Sequence, residues 1–104
     1  MNTHEKIPAF AINLKSRIDR FKSIHSEFLD HKGFQLEIVK AIEDPNGAYG
    51  LWKTIYTIIN EADKRGDKFV LICEDDHIFT QYFNMEEFKN RITECKSIGV
   101  DILP

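Results

Sequence analysis

The chain has 104 residues and a mass of 12.2 kDa, with 42% hydrophobic and 30% charged residues. That is room for one small domain, and the balance excludes a disordered tail or a collagen-like fibre. A net charge of −3 gives no electrostatic case for binding nucleic acid or anionic lipid, and no apolar run approaches the roughly 18 residues that span a bilayer.

Two cysteines, Cys73 and Cys95, make no disulfide framework, and Met1–Lys6 is polar with no secretory apolar stretch behind it. Both point to a reduced, cytoplasmic setting. Phe10-Ala11-Ile12-Asn13-Leu14, just after Pro8, reads as a buried strand. A helix is expected next, with Ser16 as N-cap and Asp19 three residues on. Ile18, Phe21, Ile24, Phe28 and Leu29 form its apolar stripe. Gly33 is the expected left-handed stop, with Lys32 in the last turn.

Phe34 to Ile42 alternates in its first half and reads as a second strand, at a sheet edge or solvated on one face. Asp44-Pro45-Asn46-Gly47 marks a turn. Ala48, Leu51, Trp52, Ile55, Ile58, Ile59 and Ala62 then recur at helical spacing, with Lys64 and Arg65 near the end and Gly66 closing the helix. That stripe assigns Trp52 to the core rather than to sugar stacking.

Phe69-Val70-Leu71-Ile72-Cys73 has no polar interruption and reads as a central strand covered on both faces. A weaker third helix runs from about Asn84 to Ser97. Asn84 and Glu87 are placed as a capping box, and Phe88, Ile92 and Cys95 share one side. Val100-Asp101-Ile102-Leu103 has the composition of a fourth strand's opening. The order implies an α/β fold, a Rossmann-like open sheet of three or four mainly parallel strands with flanking helices. Residues 1–104 read as a single domain. Open sheets of this kind usually continue past three strands, so the expectation is one part of a larger fold. Its sheet edge and some apolar surface would then be exposed, and it would self-associate as a homo-oligomer.

The chemistry concentrates in Glu74-Asp75-Asp76, where the dry run leaves the sheet. Alternation along a strand points Glu74 and Asp76 one way and Asp75 the other. Crowded carboxylates repel one another unless a cation or strong donors compensate, and Mg²⁺ or Mn²⁺ suits oxygen ligands. Ligands of open α/β sheets bind beyond the carboxyl ends of the strands, where this trio falls. The bland alternative is a solvated acidic turn. Arg17 and Arg20 follow the first strand, and either meet a diphosphate or pair with Asp19 or Glu27. Asn13 either recognises a base or ribose or satisfies buried backbone. His77 is a candidate ligand or a plain loop residue. Phe79, Tyr82 and Phe83 would wall a pocket or cover a sheet edge.

Three stretches carry a family resemblance. Ile12-Asn13-Leu14-Lys15-Ser16-Arg17-Ile18-Asp19-Arg20 is similar to the opening "INL-x-x-R-x-D-R" segment of the family 25 glycosyltransferases, the lipooligosaccharide galactosyltransferase group. Gly50-Leu51-Trp52-Lys53-Thr54-Ile55 resembles the helix before that family's acidic motif. Val70-Leu71-Ile72-Cys73-Glu74-Asp75-Asp76-His77-Ile78-Phe79 resembles its "hydrophobic-LEDD-x-x-F" signature. Ala48-Tyr49-Gly50-Leu51-Trp52 stands where the family carries a Ser-His pair, so no catalytic base is assigned.

The resemblance implies the N-terminal, nucleotide-sugar-binding half of a GT-A fold. It implies Glu74 and Asp76 as ligands of Mn²⁺ or Mg²⁺, with Asp76 the direct one. Asn13, Arg17, Arg20 and Asp75 would contact the nucleotide-sugar, a UDP-hexose. The hexose would pass to a surface glycan or lipooligosaccharide acceptor. Two other classes compete. One is a catalytically inactive α/β interaction or nucleotide-binding module. The other is a phosphate-accepting receiver domain, whose paired acids belong after the first strand, where this chain has Asn13-Leu14.

Overall fold

The computed structural model describes residues 6–97, with side chains through residue 94. The first elements are strand β1 (Ile7–Asn13), helix α1 (Ile18–Leu29) and strand β2 (Phe34–Lys40). Helix α2 (Gly47–Arg65), strand β3 (Leu71–Glu74) and helix α3 (Met85–Ser97) follow. The three strands form one parallel sheet in the order β2-β1-β3, an α/β arrangement of the Rossmann-like kind. Two compact units are distinct, Lys6–Ile78 and the segment that begins at Phe79. The expected fourth strand, Val100–Leu103, lies outside the described residues. No described helix is long and apolar enough to cross a membrane.

Among the described strands the middle one is β1, not the run Phe69–Cys73. β1 pairs with β2 from Ile7↔Phe34 to Asn13↔Lys40, and with β3 from Ala9↔Leu71 to Ile12↔Glu74. All its residues but Pro8 are buried, whereas Leu71, Ile72 and Cys73 are only half-buried, and β3 pairs with β1 alone among the described strands. Phe69 and Val70 precede β3 rather than belonging to it. Pro8 sits inside β1 at a tolerated place. The Ile7 N–H donates to the Gly33 carbonyl on the β2 side, at 2.9 Å, so the Pro8 nitrogen points the other way. There β3 pairing starts only at Ala9.

Strand alternation sorts the two helices to opposite faces. Phe10 and Ile12 pack with Ile58 of α2, joined by Val39 and Ile72, their partners across the sheet. Phe34, opposite Ile7, takes the other face, and Phe28 of α1 meets it edge to face with ring centroids 5.7 Å apart. Ala9, Ala11 and Asn13 share that α1 face.

α1 begins at Ile18 with Arg17 in the cap position and no side-chain cap bond, so Ser16 is not its N-cap. The Arg17 N–H instead closes a turn onto the Leu14 carbonyl at 2.9 Å. Only Ile24 and Phe28 of the expected stripe are buried, and Ile18, Phe21 and Leu29 are exposed. The helix ends before Lys32, and Gly33 has no positive φ. Two successive turns, His31 N–H to the Phe28 carbonyl and Phe34 N–H to the His31 carbonyl, lead into β2 without a left-handed residue.

α2 is closed as expected by Gly66, with φ of 77°. It opens on Asn46, whose side-chain oxygen accepts from the Tyr49 N–H. Its buried column is Gly50, Thr54, Ile58 and Ala62. Trp52 is not in the core. It is 56% exposed and stacked between Tyr49 and Tyr56, at 6.0 and 5.4 Å between ring centroids. The reason is helical phase: Trp52 stands about 200° around the helix from Gly50 and Thr54, the residues that approach the preceding loop. A Cβ on Gly50 would come within 2.5 Å of the Ile42 carbonyl oxygen. The Thr54 hydroxyl accepts from the Ile42 N–H and donates to the Gly50 carbonyl, both at 2.8 Å.

In the second unit, Asn84 caps α3 by accepting from the Glu87 N–H at 2.9 Å, and Ile92 is buried with Phe88 half-buried. The rings of Phe79, Phe83 and Phe88 form a chain, with centroids 4.8 and 5.8 Å apart. The Cys95 side chain lies outside the described atoms.

Candidate functional site

In the order β2-β1-β3 the chain leaves β1 to one side and later returns to the other. The carboxyl ends of β1 and β3 therefore flank the topological switch point, where open α/β sheets place their ligands. Asn13 ends β1 and Asp75 follows β3 directly. The two meet there. The Asn13 side-chain amide donates to Asp75 Oδ2 at 3.0 Å and to the Arg17 carbonyl at 3.1 Å. Arg20, in the first turn of α1, donates from Nη1 to Asp75 Oδ1 at 3.3 Å.

Asp75 is 7% exposed, so its charge is largely out of water and needs both partners. Arg20 is 42% exposed along its side chain and reaches from solvent to the carboxylate. Of the expected ligand contacts, the fold brings Asn13, Arg20 and Asp75 together. Arg17 is occupied elsewhere. Its Nε and Nη2 grip both oxygens of Asp19 at 3.1 and 3.0 Å. That hydrogen bond holds the Asp19 carboxyl down at about 2. It also raises the Arg17 guanidinium, helped by the Asp19 charge, opposed by desolvation and reinforced weakly by Asp75.

The acidic trio divides. Glu74 is the last residue of β3 and pairs with Ile12, which puts it on the α2 side. Asp75 and Asp76 form a turn, closed by the His77 N–H on the Glu74 carbonyl at 3.1 Å. A cleft of about 620 Å³ lies between this turn and α1, lined by Arg20, Lys22 and Ser23 with Asp75, Asp76 and His77. Asp76 therefore shares the cleft with Asp75, and Glu74 is not in the lining. Strict alternation fails here because the strand has ended. His77 also meets the Phe28 ring, with centroids 6.0 Å apart.

Cys73 records the field of these acids. Burial pushes its thiol up to about 11, and the charges of Asp76, Asp75 and Glu74 add to the effect. No group of three or more His, Cys, Asp or Glu side chains poised to hold a metal occurs among the described residues. The carboxylates that a hard cation would find at the turn are the exposed Asp76 and Asp75 with its remaining lone pairs, and Glu27 of α1 also lines the cleft. Two carboxylates suit Mg²⁺ or Mn²⁺, which keep several waters and take substrate phosphates as further ligands. Lys22 and Ser23 also line the cleft and belong to no motif in the sequence. The available signal was their place on α1 beside Arg20, two and three positions on.

No protein-family model matches the chain, and neither a curated protein nor a solved structure matches it.

Proposed function

We propose that the chain is the nucleotide-sugar-binding half of a metal-dependent GT-A glycosyltransferase. It would use a UDP-hexose donor and a surface-glycan or lipooligosaccharide acceptor. One juxtaposition supports this reading above all. Asn13, Arg20 and Asp75 converge at the carboxyl ends of β1 and β3, beside a cleft that also holds Asp76. The motif resemblance supplies the reaction class.

In this reading Asp76 and Asp75 hold Mn²⁺ or Mg²⁺, and Glu74 stays outside the cleft lining. The cation supplies charge neutralisation on the diphosphate as the sugar–phosphate bond breaks. Asn13 fixes the Asp75 carboxylate. Arg20 adds positive charge beside the leaving group. Arg17, gripped by Asp19, stays out of the site. Part of the apolar surface, including Ile18 and Leu29 of α1, is exposed on this chain, and self-association is the expected consequence.

A second reading has its own observation. Asp75 is already satisfied by Asn13 and Arg20, as in a structural tie between two strand tips and a helix. That favours an inactive interaction or nucleotide-binding module. Calorimetry with UDP, with and without Mn²⁺, separates the two. The transferase reading expects UDP binding that needs Mn²⁺ and weakens by about tenfold or more in Asp76→Ala, with circular dichroism unchanged. No heat from UDP, with or without Mn²⁺, selects the interaction module, and UDP binding indifferent to Mn²⁺ selects the nucleotide-binding one.

A further inference from the structure

We infer that Arg20 is a two-position arm, resting on Asp75 in the ligand-free chain and turning onto a diphosphate when a divalent cation takes its place on that carboxylate. This rests on the reading of the cleft as a metal–nucleotide site and adds how the two ligands are coupled.

Three observations carry it. The Arg20–Asp75 contact is a single one at 3.3 Å, past the usual range for a charge-assisted bond, whereas Arg17 grips Asp19 through two bonds of 3.0 and 3.1 Å. Arg20 is therefore the weakly held arginine of the pair. Asp75 Oδ2 stays on Asn13, so the carboxylate keeps its orientation when Oδ1 is released. Arg20, Asp75 and Asp76 all line the same cleft, so the guanidinium can leave the carboxylate without leaving the site.

The electrostatics are an exchange of cations. Asp75 is buried and requires positive charge or donors at Oδ1. A cation that supplies that charge makes Arg20 redundant there, and repulsion moves the guanidinium off. A diphosphate bound to the cation then offers the planar fork its best partner. Metal and nucleotide each favour the other's binding, and the coupling is reciprocal. In the ligand-free chain Arg20 competes with the metal, so metal alone binds less tightly than the two carboxylates would allow.

The test titrates wild type, Arg20→Gln and Lys22→Gln with Mn²⁺ alone, reading free Mn²⁺ by electron paramagnetic resonance, then with UDP at saturating Mn²⁺. Lys22 lines the cleft and controls for the loss of one positive charge. Arg20→Gln is expected to bind Mn²⁺ several-fold tighter than wild type and UDP several-fold more weakly, with a clearly smaller Mn²⁺ gain in Lys22→Gln. Arg20→Lys guards against a misfolded Gln variant. It is expected to keep Mn²⁺ affinity near wild type and lose UDP affinity, because a point charge replaces the fork. Arg20→Gln binding Mn²⁺ no tighter than wild type overturns the arm, as does an equal gain in Lys22→Gln or unchanged UDP affinity in Arg20→Lys. In those cases wild type still binds metal and nucleotide, and the transferase reading stands. A wild type that takes up neither Mn²⁺ nor UDP overturns both.

Discussion

Asn13 and Asp75 stand 62 positions apart in the chain and share a hydrogen bond of 3.0 Å where the strand order reverses. Both N–H groups of the amide are used, one on Asp75 and one on the Arg17 carbonyl. The bond is therefore a brace. It ties the tip of β1 to the turn after β3 and to the segment that opens α1.

Replacing Asn13 tests the brace. Asn13→Leu leaves the buried Asp75 carboxylate short of a donor and should cost about 1–3 kcal/mol. Asn13→Asp should cost more at neutral pH, because it sets a second carboxylate against the first. Urea denaturation at pH 7 measures both. Midpoints equal to wild type would show that the brace carries no stability.

Gly50 and Gly66 are both glycines for different reasons. At Gly50 a Cβ would press on the Ile42 carbonyl, a backbone atom with little freedom to yield, so Gly50→Ala should destabilise by about 1–3 kcal/mol. At Gly66 a Cβ meets nothing within 4 Å, and the penalty is the left-handed backbone alone, about 1 kcal/mol. A Gly50→Ala chain as stable as wild type in thermal denaturation would refute the close approach.

Thr54 is 1% exposed, and its hydroxyl bonds the Ile42 N–H and the Gly50 carbonyl. Thr54→Val keeps the shape and strands the amide. A loss of about 1–3 kcal/mol is expected, and Thr54→Ser should recover most of it. Failure of Ser to outperform Val in urea denaturation would count against the hydroxyl's role.

Cys73 gives a pH signature. Its thiol ionises near 9 in an unfolded chain and at about 11 in the fold. The folded-state value is raised, so the contribution to stability is whole below pH 9 and is lost as pH climbs through 11. In a Cys95→Ser variant, alkylation of the remaining thiol should follow a midpoint of about 11 and be slow at about pH 8. A cation bound at Asp75 and Asp76 should pull that midpoint down. A midpoint near 9 without metal would contradict the half-buried, acid-flanked setting.

The order of strands and helices was legible because apolar spacing switches cleanly between two periods. Which strand lies in the middle was not. Phe69–Cys73 is the more continuous apolar run, yet β1 is enclosed, because sheet order depends on crossover geometry rather than on hydrophobicity. Ala9 and Ala11 hinted at it, as small residues suit a close helix contact. Trp52 lies on the apolar stripe of α2 yet outside the core, because that stripe is wider than the buried face. The small-residue column Gly50, Thr54, Ala62 marks the true contact. At the site, the separate direction of Asp75 follows from alternation. The company of Asp76 does not, since β3 stops at Glu74 and a turn obeys no period of two.

Pro8 governs where that turn falls. Its missing hydrogen faces the β3 side one step before pairing begins. Were β3 to slide two residues back along β1, the ladder would demand a donor from a nitrogen that has none to give. A slip of one would turn every side chain of β3 inside out. The ring acts as a doorstop at the far end of the strand, and the height at which the carboxylates emerge is set there, at the opposite end of the sheet from the chemistry they are proposed to serve.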